Sequence, residues 1–229
     1  MTAPTPGPPR GGLPADLGPR IAVAVPAAAV LAAVLAAGGL VWAGAMLGLA
    51  LLGGVELARL GRRAGGSGLK VAVLAVAWLG TGFGHAVLLR ELPHGAGLVL
   101  AVLLATFLGD TAAQLVGTAF GRRPLAPRLS PSKTLEGVGA GIAGGTASVV
   151  LLALVLDATW LGLGDAALLG LGCSLAAPVG DLFESSLKRR AGVKDSGRLF
   201  GAHGGVLDRV DAALAAAFVG HWMALAVII

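Results

Sequence analysis

Apolar runs of membrane-spanning length restrict what this chain can fold into more than any other feature. Seven of them cover about 21–38, 40–59, 69–89, 97–119, 136–156, 165–187 and 207–229. An α-helix needs about 20 predominantly apolar residues to cross about 30 Å of hydrocarbon, and each run is close to that length. With 56% hydrophobic and 13% charged residues, the chain lacks the charge that covers a soluble domain. The sequence therefore predicts an all-α, polytopic integral membrane protein with about seven transmembrane helices.

The basic residues predict how these helices are oriented. If the runs cross the membrane alternately, 16 of the 17 Lys and Arg residues fall on one side, and only Arg90 falls on the other. That basic side holds the N-terminus and the loops after the second, fourth and sixth runs. Cytoplasmic loops carry an excess of Lys and Arg. We therefore expect a multi-pass protein of the cell (plasma) membrane, with the N-terminus and these loops cytoplasmic and the C-terminus outside.

Composition divides the chain into three regions. Residues 1–20 are rich in Pro and Gly and have no apolar periodicity, which predicts a disordered cytoplasmic tail. Residues 21–96 supply the N-terminal transmembrane helices. Residues 97–229 form a C-terminal transmembrane domain that holds the candidate catalytic residues.

Charged side chains are concentrated in residues 180–211. One set recurs at i, i+3, i+4 and i+7, which places it on one face of a helix: Asp181, Glu184, Ser185 and Lys188. Asp208 and Asp211 share a face where the last run begins. A salt bridge between Glu184 and Lys188, and the attraction of acids to a helix N-terminus, would each explain part of this pattern. Mg²⁺ is another explanation, because it binds one or two protein carboxylates together with substrate phosphates.

The loop between these two helix ends is basic and contains several glycines. Its side chains can neutralise phosphate oxygens, and its glycines let the backbone approach a ligand closely. These residues are Lys194, Arg198, His203 and Arg209, with Gly201, Gly204 and Gly205. Contact with anionic lipid would also use basic residues. Anionic lipid would repel the interleaved aspartates, so the pattern favours a phosphate-binding loop.

A second polar segment precedes the fifth run, and we expect it to lie opposite the first. Asp110 has apolar neighbours on both sides within the fourth run, and an acidic residue within a span is a candidate functional residue. Ser130, Ser132, Lys133 and Thr134 place hydroxyls and an ammonium just before the fifth run. Ser132 or Thr134 could cap that helix. Capping and phosphate binding at a helix N-terminus are compatible.

These two segments resemble the CDP-diacylglycerol synthase family, the integral-membrane phosphatidate cytidylyltransferases. The family's C-terminal signature occupies Ser185–Asp211 without a gap, and Asp110-Thr111 and Leu129–Gly137 also match. The chain departs from the family at Gly201-Ala202, where Pro-Gly is frequent, and at Ala112–Gln114, where Gly-Ala-Tyr is common. Neither departure removes a charged group, so both concern loop shape. The first hundred residues match only as apolar spans.

The resemblance implies transfer of CMP from CTP to phosphatidate, giving CDP-diacylglycerol and pyrophosphate in phospholipid biosynthesis. It also implies Mg²⁺, a second cation that could be K⁺, surrounding membrane lipids, no nucleic acid and a homodimer. The expected catalytic residues are Asp181, Lys188, Lys194, Asp208 and Arg209. The expected substrate-binding residues are Asp110, Ser132, Lys133, Thr134, Arg189, Arg198, His203, Gly204 and Gly205. The expected metal ligands are Asp181, Asp208 and Asp211.

Two other functions fit parts of the sequence. A CTP-dependent transferase with an isoprenoid-ether phosphatidate or a polyprenol acceptor would use the same polar residues, because lipid tails meet only apolar walls. A transporter or scramblase would use Asp110 and Asp181 as ion-coupling residues. It predicts repeated halves with charges near the middle of the bilayer. The sequence has no internal repeat, and its charges lie at one side.

Overall fold

The chain is helical along every predicted span. A computed structural model describes residues 17–156, 158–197 and 204–228, with side chains from residue 25 to residue 227 of these ranges. The helices are α1 (Leu17–Ala37), α2 (Gly39–Arg63), α3 (Gly68–Ala75), α4 (Thr81–Glu91), α5 (Gly95–Phe120), α6 (Leu135–Val155), α7 (Leu163–Arg190) and α8 (Leu207–Ile228). A π-helical turn, Val76–Gly80, joins α3 to α4 without a break. The predicted all-α, polytopic architecture is confirmed.

The number of spans agrees with the predicted count of about seven. Among the described residues, six helical segments are long and apolar enough to cross a membrane, with α3, the π-helical turn and α4 forming one of them. The remaining predicted span, the first in the chain, corresponds to α1, whose described apolar stretch is shorter, Val25–Ala37. Helix α1 begins at Leu17, inside the segment predicted as a disordered tail. Residues 1–16 of that tail lie outside the described residues.

Two compact units divide the chain after Ala37. The first contains α1, and the second begins at Gly38 and contains the remaining helices. Gly38 and Gly39 have positive φ values of 61° and 47°, which glycine adopts readily because it has no side chain. The break between the first two predicted spans therefore falls at these two glycines.

In the second unit, α5 packs mainly against α6, and α7 packs mainly against α8. The first pair approaches closely because glycines line the contact. A Cβ atom on Gly137 would lie 2.7 Å from the Ala113 carbonyl oxygen, and one on Gly109 would lie 3.1 Å from the Gly141 carbonyl oxygen. Small residues give membrane helices this close backbone contact. Gly180 does the same for α7 and α8, since a Cβ there would collide with the Asp211 carbonyl oxygen.

A short β-hairpin, which the sequence did not predict, connects α5 to α6. Its strands are β1 (Pro124–Ala126) and β2 (Ser130–Thr134), paired antiparallel with Pro124 opposite Thr134 and Ala126 opposite Ser130. The Leu135 N–H donates to the Arg123 carbonyl at 2.9 Å. The hairpin therefore holds the second polar segment at the N-terminus of α6.

Candidate active site

A groove of about 340 Å³ lies between α5, β2, α6 and α7. It is lined by residues of the second polar segment together with Asp181 of the first. Its polar lining comes from Thr106, Asp110, Gln114, Thr118, Ser132, Lys133, Thr134, Ser174 and Asp181. Its apolar walls include Ile142, Ala177 and Pro178. The structure thus brings Asp110, the Ser132–Thr134 strand and Asp181 together from three separate parts of the chain.

Lys133 and Asp181 form an ion pair in this groove. The Ser185 hydroxyl, on the same face of α7, donates to the other carboxylate oxygen of Asp181 at 3.3 Å. Each side chain of the ion pair keeps about a quarter of its surface exposed, 24% for Lys133 and 25% for Asp181. The Lys133 ammonium therefore remains accessible to an anionic ligand in the groove, and the Asp181 carboxylate remains accessible to a cation.

Two hydrogen-bonded contacts set the position of β2. Thr134 Oγ1 accepts a hydrogen bond from the Gly137 N–H at 3.1 Å, which confirms that Thr134 caps α6. Glu136 Oε2 accepts from the backbone N–H groups of Arg122 and Arg123 at 3.1 and 3.2 Å. The capped helix and the Glu136 contact hold β2 in a fixed position, so Lys133 projects from a supported strand rather than from a free loop.

A second cluster lies at the ends of α7 and α8, around Lys188. Its ammonium donates to Glu184 Oε2 at 3.0 Å and to Asp208 Oδ1 at 2.8 Å. The first contact is the helix-end salt bridge that the i, i+4 spacing predicted. The second connects α7 to the first turn of α8. Glu184 is buried, with 1% of its surface exposed, so this ion pair is shielded from water.

Asp208 also organises the start of α8. Its Oδ2 accepts hydrogen bonds from the Ser196 N–H at 2.9 Å, the Ser196 hydroxyl at 2.8 Å and the Gly205 N–H at 2.8 Å. Gly204 has a φ of 81°, and a Cβ atom there would lie against the Asp208 carboxylate. Gly204 therefore allows the backbone to approach this carboxylate closely.

The third predicted metal ligand, Asp211, lies deeper between the two helices. Its Oδ1 accepts from the Ala212 N–H at 2.8 Å, and its carboxyl group lies close to that of Glu184. The second Glu184 oxygen, Oε1, is buried and has no hydrogen-bond partner among the described residues. In the described part of the chain, no group of three or more His, Cys, Asp or Glu side chains is arranged to hold a metal ion by itself.

Three of the remaining predicted site residues, Arg189, Lys194 and Arg209, lie within the described part of the chain. Arg189 Nε donates to the Leu129 carbonyl at 3.2 Å, which ties the end of α7 to the hairpin. Lys194 and Arg209 are exposed. Arg198 and His203 lie outside the described residues, so their predicted roles remain predictions.

Sequence analysis missed two buried residues of this region. Glu56 of α2 is 5% exposed and Ser196 is 7% exposed, and their side chains are hydrogen-bonded to each other at 3.1 Å. Glu56 lies in the second apolar run. The rule that singled out Asp110, an acid within a span, also applies to Glu56. Ser196 gave no comparable signal.

Comparison with known proteins assigns this chain to a protein family. The sequence model of the cytidylyltransferase family matches residues 66–227. The phosphatidate cytidylyltransferase of Mycobacterium leprae is 39% identical over 153 residues, which cover 66% of this chain and 48% of that protein. The protein of the same name from Pseudomonas aeruginosa is 40% identical over 153 residues, 65% of this chain and 53% of that protein. This chain thus spans about half the length of these relatives.

Proposed function

Because the chain belongs to the cytidylyltransferase family, we propose that it transfers CMP from CTP to phosphatidate, producing CDP-diacylglycerol and pyrophosphate. The observation that carries this proposal is the groove in which Lys133, Asp181 and the hydroxyls of β2 face one another. Its relatives named phosphatidate cytidylyltransferase support the choice of acceptor lipid.

The reaction requires positioned charge more than proton transfer. A phosphate oxygen of phosphatidate attacks the α-phosphorus of CTP. The bond from that phosphorus to the oxygen bridging the β-phosphate breaks, and pyrophosphate leaves with the electron pair. The attacking oxygen is already anionic, so no protein base is needed. Catalysis then depends on alignment and on neutralising the phosphate charges.

The groove supplies the contacts for phosphatidate. When phosphatidate binds, the Lys133 ammonium leaves its ion pair with Asp181 and pairs with the lipid phosphate. The Ser132 and Thr134 hydroxyls orient the head group. Thr134 accepts a hydrogen bond as a helix cap but keeps its own hydroxyl hydrogen to donate. Asp110 lines the polar cavity beside them.

The second cluster supplies the contacts for CTP. Lys188 is held by two carboxylates, which fixes its charge beside Asp208, and its third hydrogen is available to a phosphate oxygen. Basic side chains and the glycine backbone bind the phosphate chain: Arg189, Lys194, Arg198, His203 and Arg209, with Gly204 and Gly205.

We assign the catalytic transmembrane domain to residues 97–229 and the N-terminal helices to residues 21–96.

The cytidylyltransferase family generally depends on a divalent metal ion, and we propose that this ion is Mg²⁺. The donor set fits it, because Mg²⁺ binds one or two protein carboxylates together with substrate phosphates. Lys188 donates to Asp208 Oδ1, and the hydrogen bonds from Ser196 and Gly205 go to Oδ2, so Oδ1 is the oxygen that we assign to the metal. Asp181 and Asp208 would hold the ion together with substrate phosphates, with Asp211 close by, and the ion would neutralise the phosphates when bound. We propose a second cation, K⁺, beside the Mg²⁺.

We propose that the protein is a homodimer in the plasma membrane, with its N-terminus and basic loops in the cytoplasm and its C-terminus outside. The positive-inside rule supports this orientation. It places the Lys188–Asp208 cluster on the side of the membrane where CTP is present.

Purified protein in mixed micelles tests this function. With CTP, phosphatidate and Mg²⁺ it should release pyrophosphate, and excess chelator should stop the reaction. An isoprenoid-ether phosphatidate and a polyprenyl phosphate should support slower release. Faster turnover of either lipid than of phosphatidate would reject the proposed acceptor. Undiminished release in excess chelator would reject the metal requirement.

A further inference from the structure

Glu56 is a buried carboxylate that lies outside the segment matched by the family. It is on α2, whereas the family model matches residues 66–227. Only 5% of its surface is exposed. A buried charged group is costly unless donors satisfy it, so the groups that satisfy Glu56 indicate what it does.

The donors to Glu56 come from Ser196, within the α7–α8 connection, and from Val206 and Leu207, where that connection meets α8. The Ser196 hydroxyl donates to Oε2 at 3.1 Å. The Val206 N–H donates to Oε1 at 3.1 Å, and the Leu207 N–H donates to Oε2 at 3.0 Å. Val206 and Leu207 are at the start of α8, where N–H groups lack helical partners and the helix dipole attracts negative charge. Glu56 therefore caps α8 from a different helix.

Glu56 and Asp208 share the Ser196 hydroxyl. It lies 3.1 Å from Glu56 Oε2 and 2.8 Å from Asp208 Oδ2, so its one hydrogen is shared between two carboxylates. A change at Glu56 therefore alters the hydrogen bonding of Asp208 directly.

Glu56 also holds the base of the basic loop. A Cβ atom on Gly197 or on Gly205 would collide with the Glu56 carboxylate, and one on Gly197 would lie 3.2 Å from the Gly205 Cα atom. Gly197 and Gly205 therefore both lie against the Glu56 carboxylate and next to each other. Arg198 and His203 lie between the two glycines in the sequence.

We propose that Glu56 is a positioning residue for the CTP side of the transferase site. Its carboxylate fastens Ser196 of the basic loop to Val206 and Leu207 at the start of α8, which holds Asp208 in place. The inference rests on the proposed function for its link to CTP. Its structural part, the fastening of the loop, stands independently.

Kinetics of the Glu56→Gln variant of the full chain test this role. The carboxamide keeps one acceptor oxygen and loses the other, so at least one of the three hydrogen bonds is lost. We expect kcat/KM for CTP to fall roughly 10- to 100-fold, as for other residues that orient a site, mainly through a higher KM for CTP. The KM for phosphatidate should stay unchanged, because its proposed groove is formed by α5, β2, α6 and α7. A lower kcat with both KM values unchanged would mean a loss of folded protein and would overturn the proposal.

Limited trypsin digestion gives a second readout that needs no turnover. Cleavage after Arg198, followed by mass spectrometry, should be roughly tenfold faster in Glu56→Gln than in wild type, because local opening controls proteolysis. Glu91→Gln, which removes an exposed carboxylate at the end of α4, is the matched control and should match wild type in both measurements. Equal cleavage rates in Glu56→Gln and wild type would overturn the fastening of the loop.

Ser196→Ala keeps the proposal testable if Glu56→Gln does not fold. It removes only the shared hydroxyl, so we expect the same two changes at smaller size, and wild-type values in both would overturn the proposal. The readouts also separate the two proposals. If the wild-type protein never consumes CTP, the transferase function is rejected. If the Glu56 and Ser196 variants are nevertheless cleaved faster than wild type, the role of Glu56 in holding the loop is retained.

Discussion

Lys133 and Asp181 are 48 positions apart in the sequence and form an ion pair in the groove. Without substrate, each neutralises the other. A phosphate entering the groove would attract the ammonium and leave the carboxylate available to a cation. The pair is therefore suited to exchange partners when an anionic lipid binds.

Replacing Lys133 tests this exchange. Lys133→Gln removes a charged donor, and a hydrogen bond to a charged group contributes about 1.5–3 kcal/mol, or roughly 10- to 100-fold in rate. We expect kcat/KM for phosphatidate to fall by that factor in steady-state assays. Lys70→Gln removes an exposed ammonium on α3 and should have little effect. A phosphatidate KM and kcat for Lys133→Gln equal to those of wild type would contradict the assignment.

Local spacing accounts for which of these contacts were predicted from sequence. The Glu184–Lys188 and Asp181–Ser185 pairs follow from one helical period, and the Thr134 cap follows from its position before an apolar run. The Glu56–Ser196 contact joins residues 140 positions apart, and no periodicity connects them. The sequence marked Glu56 only as an acid within a span, without indicating its partners.

At the scale of helices and strands, the groove depends on how closely α5 and α6 approach. Glycines on both helices line that contact, and the hairpin that joins them carries Lys133. The helices were predicted to within a few residues because their apolar runs have membrane-spanning length. The hairpin was not, because β2 has five residues including Pro131 and shows no alternation of apolar and polar side chains.

Two glycines on α6 provide a matched test of this packing. A Cβ atom on Gly137 would lie 2.7 Å from the Ala113 carbonyl oxygen, whereas one on Gly139 would meet nothing within 4 Å. Overpacking costs about 1–3 kcal/mol, so Gly137→Ala should lower the free energy of unfolding in detergent by that amount. Gly139→Ala should leave it unchanged or raise it by up to about 1 kcal/mol. Equal unfolding free energies for the two variants would contradict the proposed close packing.

For the whole molecule, the proposed orientation rests on six spans and does not depend on α1. The loops after α2, α5 and α7 are separated by even numbers of spans, so they share one side whether or not α1 crosses the membrane. These loops and the adjoining helix ends carry most of the basic residues. The proposed active site lies on this basic side.

Cysteine labelling in intact cells tests the orientation. The single native cysteine, Cys173, is fully buried and should not react. Glu91→Cys, at the end of α4, should react with a membrane-impermeant thiol reagent in intact cells. Ala64→Cys, at the end of α2, should react only after the membrane is opened. The reverse pattern would place the site outside and contradict the use of cytoplasmic CTP.

The fate of the two ends of CTP tests the proposed reaction most directly. Purified protein is given phosphatidate, Mg²⁺ and CTP labelled either on its α-phosphorus or on its γ-phosphorus. We expect the α-label to move into the lipid phase, in step with phosphatidate consumption, while the γ-label is released into water as pyrophosphate. If the γ-label entered the lipid, or neither label left CTP, transfer of CMP to phosphatidate would be contradicted.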